Sequence, residues 1–261
     1  MTRYTRDEMM TIAASRLLEN GSVCFVGIGL PSAACNLARL THAPDLVLIY
    51  ESGTIGARPE VLPLSIGDPD LATTAAVVVP LPQIFSDYLQ AGRVDVGFLG
   101  AAQIDRFGNL NSTVIGPYDQ PQVRLPGAGG APEIAAHAQR TFIVMKASPR
   151  SCVPRLGFRS SIGHLEGGDA RRRCGARGGG PAALITDVGI LTPDVATREL
   201  ILTTLYASTT VEDARKAFGW PLEVSDRLDV LAEPTDDELA TLRALEARTA
   251  AAHARPVELP C

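Results

Sequence analysis

Lysine is almost missing from this chain of 261 residues: only Lys146 and Lys216 are present, so nearly all of the 24 basic residues are arginine. Neither lysine follows a glycine, which excludes a phosphate-cradling GxxxxGK[ST] loop. The five cysteines (Cys24, Cys35, Cys152, Cys174, Cys261) are odd in number and include no CxxC. That argues against a disulfide framework or a thiolate zinc site and fits a reducing compartment. The four histidines (His42, His137, His164, His253) lie far apart with no HExxH, and there is no GxSxG elbow. No metal site and no α/β-hydrolase triad is therefore indicated. No apolar run approaches membrane-spanning length. The opening MTRYTRDEMM mixes both charges and has no apolar h-region, which reads against a signal peptide. A net charge of −5 leaves no basic footprint for nucleic acid. The expectation is a cytoplasmic protein, 46% hydrophobic, with enough chain to bury a sizeable core.

What is present alternates between strand and helix signals. Thr5-Arg6-Asp7-Glu8 reads as a capping box, in which the Thr5 hydroxyl takes an amide of the first turn and Glu8 reaches back. Met9, Ile12, Ala13 and Leu17 follow at helical spacing, and Asn20-Gly21 supplies the stop. A short strand at Val23–Val26 turns through Gly27-Ile28-Gly29 into a helix over about Pro31–Leu40. Further strands are expected at Leu46–Tyr50, Leu71–Pro80, Val94–Leu99 and Thr141–Lys146, the last apolar on both faces as in the middle of a parallel sheet. A short helix is expected at Pro82–Gln90 and another opening after Gly127–Gly130. Between them lies a turn-rich loop over 100–126. Gly157–Pro181, rich in glycine and carrying Arg171-Arg172-Arg173 and Arg177, reads as a long exposed loop. Ala183–Ile185 and Ile190–Leu191 pair around Val188-Gly189, Leu200–Leu205 is a further strand, and helices follow at Val211–Phe218 and 235–251, the second opened by a Thr235…Glu238 box. The pattern predicts one α/β domain over 1–261, an open and mostly parallel sheet with helices on both faces.

Five stretches are candidates for function. GIGLPS (27–32) mimics a dinucleotide-binding turn, with Glu51 lying 24 residues beyond Gly27. Ser32 at the third glycine position and Pro31 in the first helical turn count against it. The turn at Gly29 still offers a helix N-terminus that favours an anion. In IYESGTIGARPE (49–60), Glu51 ends a buried strand at the sheet edge where α/β folds bind ligands. Its alternative is a solvated strand-end acid, but Gly53 and Gly56 allow close approach and no lysine is near in sequence. In GAAQIDRFGNLNST (100–113), Gln103, Asp105, Asn109 and Asn111 are either turn formers or the rim of a site, since such a cluster is costly to bury without partners. The amides of GAGGA (127–131) form either an oxyanion-binding nest or a flexible connector. The arginine run reads as a solvated loop in preference to a phosphate site.

The first four, as GIGLPSAACNLARLTHAPD (27–45), ESG (51–53), GAAQIDRFGNLNST (100–113) and GAGGA (127–131), in this order and with ITDVGIL (185–191) after them, resemble the class I CoA-transferase family, and within it the β (B) subunits of the glutaconate CoA-transferase kind, from which the arginine cluster departs. The resemblance runs from the N-terminal helix to about Leu231. It implies an open α/β sheet shared with some sugar-phosphate isomerases, and a separate α subunit, so that the active site lies between two different chains. It implies that Glu51 is the nucleophile and that Gly127, Gly129 and Gly130 help bind the acyl-CoA carbonyl. Gly29, Gln103, Asn109 and Asn111 are the weaker expectations for substrate contact. Coenzyme A enters as the thioester substrate, with no metal and no permanently bound cofactor. The chain has Tyr50-Glu51-Ser52-Gly53 where many relatives read S-E-N-G. Some distant relatives lack the glutamate and hydrolyse CoA esters. Its presence here favours transfer over the alternatives, an acyl-CoA hydrolase or a non-catalytic subunit.

Overall fold

A computed structural model describes residues 3–254, so Cys261 and the two first residues lie outside the described part. In chain order the elements are α1 (Arg6–Arg16), β1 (Val23–Phe25), α2 (Leu30–Leu40), β2 (Val47–Ile49), β3 (Thr54–Ile55), α3 (Pro69–Thr73), β4 (Val77–Val78) and α4 (Leu81–Gln83), which widens at once into a π-helical segment, Ile84–Leu89. Then come β5 (Val96–Leu99), β6 (Gln103–Ile104), β7 (Leu110–Asn111), β8 (Val114–Ile115), β9 (Val123–Arg124), α5 (Ala131–His137), β10 (Arg140–Val144), α6 (Ala170–Arg173), β11 (Pro181–Ile185), β12 (Gly189–Pro193), β13 (Leu200–Tyr206), α7 (Val211–Ala217), β14 (Val224–Leu231) and α8 (Asp236–His253).

Among the described residues ten strands form one sheet in the order β14-β13-β12-β11-β10-β5-β1-β2-β3-β4. The central five, from β11 to β2, are parallel; β12 and β13 at one end and β3 and β4 at the other join by antiparallel pairing, and β14 lies parallel to β13. Side-chain alternation sends Cys24, Val26, Leu48, Tyr50, Phe98, Phe142 and Val144 to the face covered by α1, α2 and α8. It sends Phe25, Ile49, Leu99, Ile143 and Leu184 to the other face, covered by the π-helical segment, α5 and α7. A side chain such as Leu37 or Leu242, fully buried on the first face, contributes about 1.5–3 kcal/mol. The expected open, mostly parallel sheet with helices on both faces is what the chain forms.

Helix starts follow the local chemistry. Thr5 Oγ1 accepts from the Glu8 amide at 3.1 Å while Glu8 Oε2 accepts from the Thr5 amide at 2.6 Å, and α7 and α8 open with the same device. Two expectations need correction, and one strand was missed. Leu71–Pro80 is not one strand: Asp68 caps the short α3, and only Val77–Val78 pairs, as the exposed last strand of the sheet. β14 went unforeseen because its residues, half-buried or exposed along an edge, carry no apolar run. The Gly157–Pro181 stretch is not simply exposed, for Gly163, His164, Gly167, Ala170, Arg171, Gly178 and Gly180 are buried.

Candidate active site

β2 ends at Ile49 and the chain reverses over Tyr50–Thr54. The Gly53 amide donates to the Tyr50 carbonyl at 3.0 Å and the Tyr50 amide to the Thr54 carbonyl at 3.0 Å. Gly53 has φ +109, and a Cβ there would stand 2.0 Å from the Val79 carbonyl oxygen, so only glycine fits. Tyr50 points to the α2 face, fully buried, and its hydroxyl lies 3.1 Å from Ser32 Oγ. Asn36 Nδ2 donates to the Ser32 carbonyl at 2.9 Å, and Arg39 donates to Asn36 Oδ1. Burial pushes the Tyr50 phenol up to about 12, so it remains a neutral hydrogen-bonding group. The serine of GIGLPS thus ties the first strand-to-helix turn to the residue preceding Glu51.

Alternation then turns Glu51 toward the opposite face, where α5 begins. A Cβ on Gly130 would lie 3.2 Å from Glu51 Oε1 and 2.8 Å from the Phe85 ring. Glu51, Phe85 and Gly130 therefore meet at one point. Among the described residues the half-buried Glu51 carboxylate makes no ion pair and no hydrogen bond. The glycine stretch beside it is ordered by two local bonds. The Gly127 amide donates to the Ser112 carbonyl at 2.8 Å, and the Ala131 amide to the Ala128 carbonyl at 3.0 Å. Gly127 and Gly129 take positive φ, +108 and +51. Among the described residues the amides of Gly129 and Gly130 donate to no carbonyl and no side chain, which leaves two donors at the start of α5. The site thus holds an unpaired carboxylate beside the glycine that opens α5, with two undonated amides in the same stretch, groups of the kinds that serve as a nucleophile and as oxyanion donors.

Residues 7–217 match the family model described as coenzyme A transferase, most of the chain. The chain belongs to that family. It is 58% identical to the B subunit of 3-oxoadipate CoA-transferase from Pseudomonas knackmussii over 97% of both chains. It is 34% identical to the B subunit of glutaconate CoA-transferase from Acidaminococcus fermentans over 88% of both. The solved glutaconate coenzyme A-transferase of Acidaminococcus fermentans superposes with a TM-score of 0.87 at 33% identity, covering 93% of this chain and 94% of that one.

In this CoA-transferase family member the other expected contact residues belong to the β6–β7 hairpin and to the start of α2. Asn109 is fully buried, donating to both carboxylate oxygens of Asp105 and to the Leu165 carbonyl, while its Oδ1 accepts from the Gly163 and Leu165 amides. Asn111, also fully buried, donates to Gln103 Oε1 at 3.0 Å and to the Val114 carbonyl at 2.7 Å. Asn109 and Asn111 are thereby bonded within the loop, while half-buried Gln103 turns its amide nitrogen to the Arg150 carbonyl at 3.5 Å. Burial pushes the Asp105 carboxyl above its usual range, against the Asn109 bonds that hold it charged. Gly29 caps α2 with φ +79 and lines a separate groove of about 440 Å³ with Met10, Leu62 and Val144, on the other side of the sheet from Gly130. The Ser32–Tyr50 bond gives GIGLPS a structural task in place of dinucleotide binding. Phe85 and Ser112 were not foreseen: one lies in an ordinary amphipathic segment, and the other contributes only its carbonyl. Nor was the burial of Arg171. Among the described residues no group of three or more His, Cys, Asp or Glu side chains is placed to hold a metal, and no helix is long and apolar enough to cross a membrane.

Proposed function

We propose that this chain is the β subunit of a heteromeric CoA-transferase that moves CoA between an acyl-CoA and a carboxylic acid, with Glu51 as covalent nucleophile. The observation that carries the proposal is the approach of unpaired Glu51 Oε1 to the first glycine before α5. The Glu51 carboxylate attacks the thioester carbonyl and expels CoA thiolate, leaving an acyl-glutamyl anhydride. The thiolate then attacks the glutamyl carbonyl, which releases the first acid and leaves a Glu51–CoA thioester. The second acid runs both steps in reverse, so thioester energy is retained as long as water is kept out. Gly129 and Gly130 donate to each tetrahedral oxyanion, and Gly127, fixed by Ser112, sets their direction. One such donor is worth about 10²–10³ in kcat.

The relative at 58% identity is part of a 3-oxoadipate CoA-transferase, and we take a 3-oxo dicarboxylate as the acid of choice. Both this relative and the glutaconate one are B subunits of their enzymes, which supports a separate α subunit completing the site, in the cytoplasm. The test uses the assembled complex. Incubation with acyl-CoA, borohydride reduction and peptide mapping should place the modification on Glu51, and Glu51→Ala should lose on the order of 10⁴-fold or more in kcat. Labelling at another residue, or full activity in the variant, ends the assignment. Release of free CoA and acid at the full rate without a second acid would make it a hydrolase instead.

A further inference from the structure

The arginine triplet divides in the fold. Arg172 and Arg173 are exposed and pair with Asp169. Arg171 turns inward, 6% exposed, and has no carboxylate partner among the described residues. Its guanidinium donates only to backbone carbonyls: Nε to Gly178 at 2.9 Å, Nη1 to Gly163 at 2.9 Å, and Nη2 to Ala135 at 2.5 Å and Ala136 at 3.3 Å. Ala135 and Ala136 belong to the last turn of α5, where carbonyls have no partner inside the helix and a positive charge is favoured. The following glycines close over the same end. The Gly178 amide donates to the Ala136 carbonyl at 2.8 Å, and a Cβ at Gly178 would stand 2.1 Å from the Ala138 oxygen.

Helix α5 has 7 residues, about 10 Å of rise. Its capping residue Gly130 lies beside Glu51 and its last turn is gripped by Arg171. Its middle is fitted tightly on β5, since a Cβ on Gly97 would reach 2.4 Å from Ile134 Cγ2. A short rigid helix transmits a displacement at one end to the other, and a misplacement near 1 Å can cost about 10²-fold in rate. We infer that Arg171 is a positioning residue for the transfer reaction: it fixes α5 along its axis and so sets the Gly129 and Gly130 amides against Glu51. This rests on the function proposed above.

The experiment compares Arg171→Met, Arg171→Lys and Arg172→Met in the complex with the α subunit. It measures kcat, KM for acyl-CoA, thermal midpoint and the single-turnover rate of borohydride-trappable modification at Glu51. Arg171→Met should slow that modification about 10- to 100-fold per folded site with KM changed less than about threefold. Lysine keeps the charge without the fork of donors and should restore part of the rate. Arg172→Met should match the wild type. A wild-type single-turnover rate in Arg171→Met, whatever its melting temperature, or a loss confined to KM, overturns the inference. If the Met variant does not accumulate folded, Arg171→Lys decides by the same two criteria. Glu51→Gln is run alongside: full activity there removes the nucleophile reading, whereas an inactive Glu51→Gln beside a normal Arg171→Met removes only the role of Arg171.

Discussion

Gly130 separates two effects that a glycine usually combines. Its backbone lies at φ −78, open to any residue, so alanine there strains no dihedral. The added methyl would nonetheless press on the Phe85 ring and on Glu51 Oε1. Overpacking of this kind costs about 1–3 kcal/mol, and the displaced carboxylate loses its alignment. Gly130→Ala should therefore lower both the melting temperature and kcat. Adding Phe85→Leu should return most of the stability and little of the rate, because the contact with Glu51 persists. Calorimetry and steady-state kinetics on the single and double variants separate the two; full recovery of kcat in the double variant would mean that the ring alone was responsible. Of the candidate site residues, Glu51 stood out in sequence because a carboxylate closing an apolar strand just before two glycines is an unusual local event. The glycine amides were legible as a donor-rich stretch. Arg171 was not, since its acceptors in α5 lie 35 and 36 positions away and a charged triplet reads as solvated until the fold brings those carbonyls to it.

At the scale of elements, the stretch from Gly163 to Gly180 acts as a clamp between the 105–109 turn and the end of α5. His164 is its buried titratable group. It is 4% exposed, its amide donates to the Phe107 carbonyl at 2.8 Å, and its Nε2 donates to the Pro181 carbonyl at 2.9 Å. Burial lowers its pKa below the usual 6.5, with the charges of Arg171 and Arg198 adding to the effect and the Pro181 bond opposing it. With the folded value below the unfolded one, the unfolded chain takes up the proton first on acidification. The stability is thus whole above about 6.5 and is lost as pH falls from there toward the lower folded value. Melting temperature followed from pH 8 to 5 should fall through that window in the wild type and stay flatter in His164→Gln; parallel curves would show that His164 carries none of the dependence. Elements with their own start signal or an apolar run, such as α1, α2, β2, β10 and α8, were readable. Those fixed by long-range contacts were not: β14 is an edge strand without an apolar pattern, and the 163–180 clamp depends on Asn109, whose polar side chain is satisfied only once the two loops meet.

Over the whole molecule, the two ends of the described chain fasten each other on the sheet face away from Gly130. Arg16 of α1 makes a forked bond to Glu238 of α8, Nε to Oε1 at 2.7 Å and Nη2 to Oε2 at 2.6 Å, and Arg243 of α8 reaches back to Glu8 of α1 at 2.6 Å. Each glutamate is also the returning member of a capping box, Glu8 for Thr5 and Glu238 for Thr235, so one carboxylate serves helix start and helix pairing together. The boxes were visible in sequence, but the cross-links join residues 222 and 235 positions apart. The Arg16–Glu238 side chains are 22% and 19% exposed, and a charge-assisted bond so placed contributes about 1.5–3 kcal/mol. For a chain of this size each kcal/mol moves the melting temperature by about 2–4 °C. Arg16→Ala should therefore melt about 3–12 °C lower. Its kcat at 25 °C should be unchanged, because the lost contacts lie across the sheet from Glu51 and leave α5 gripped at both ends. A fall in kcat without a fall in melting temperature would show that the terminal helices act on the site, contrary to this separation of stability from chemistry.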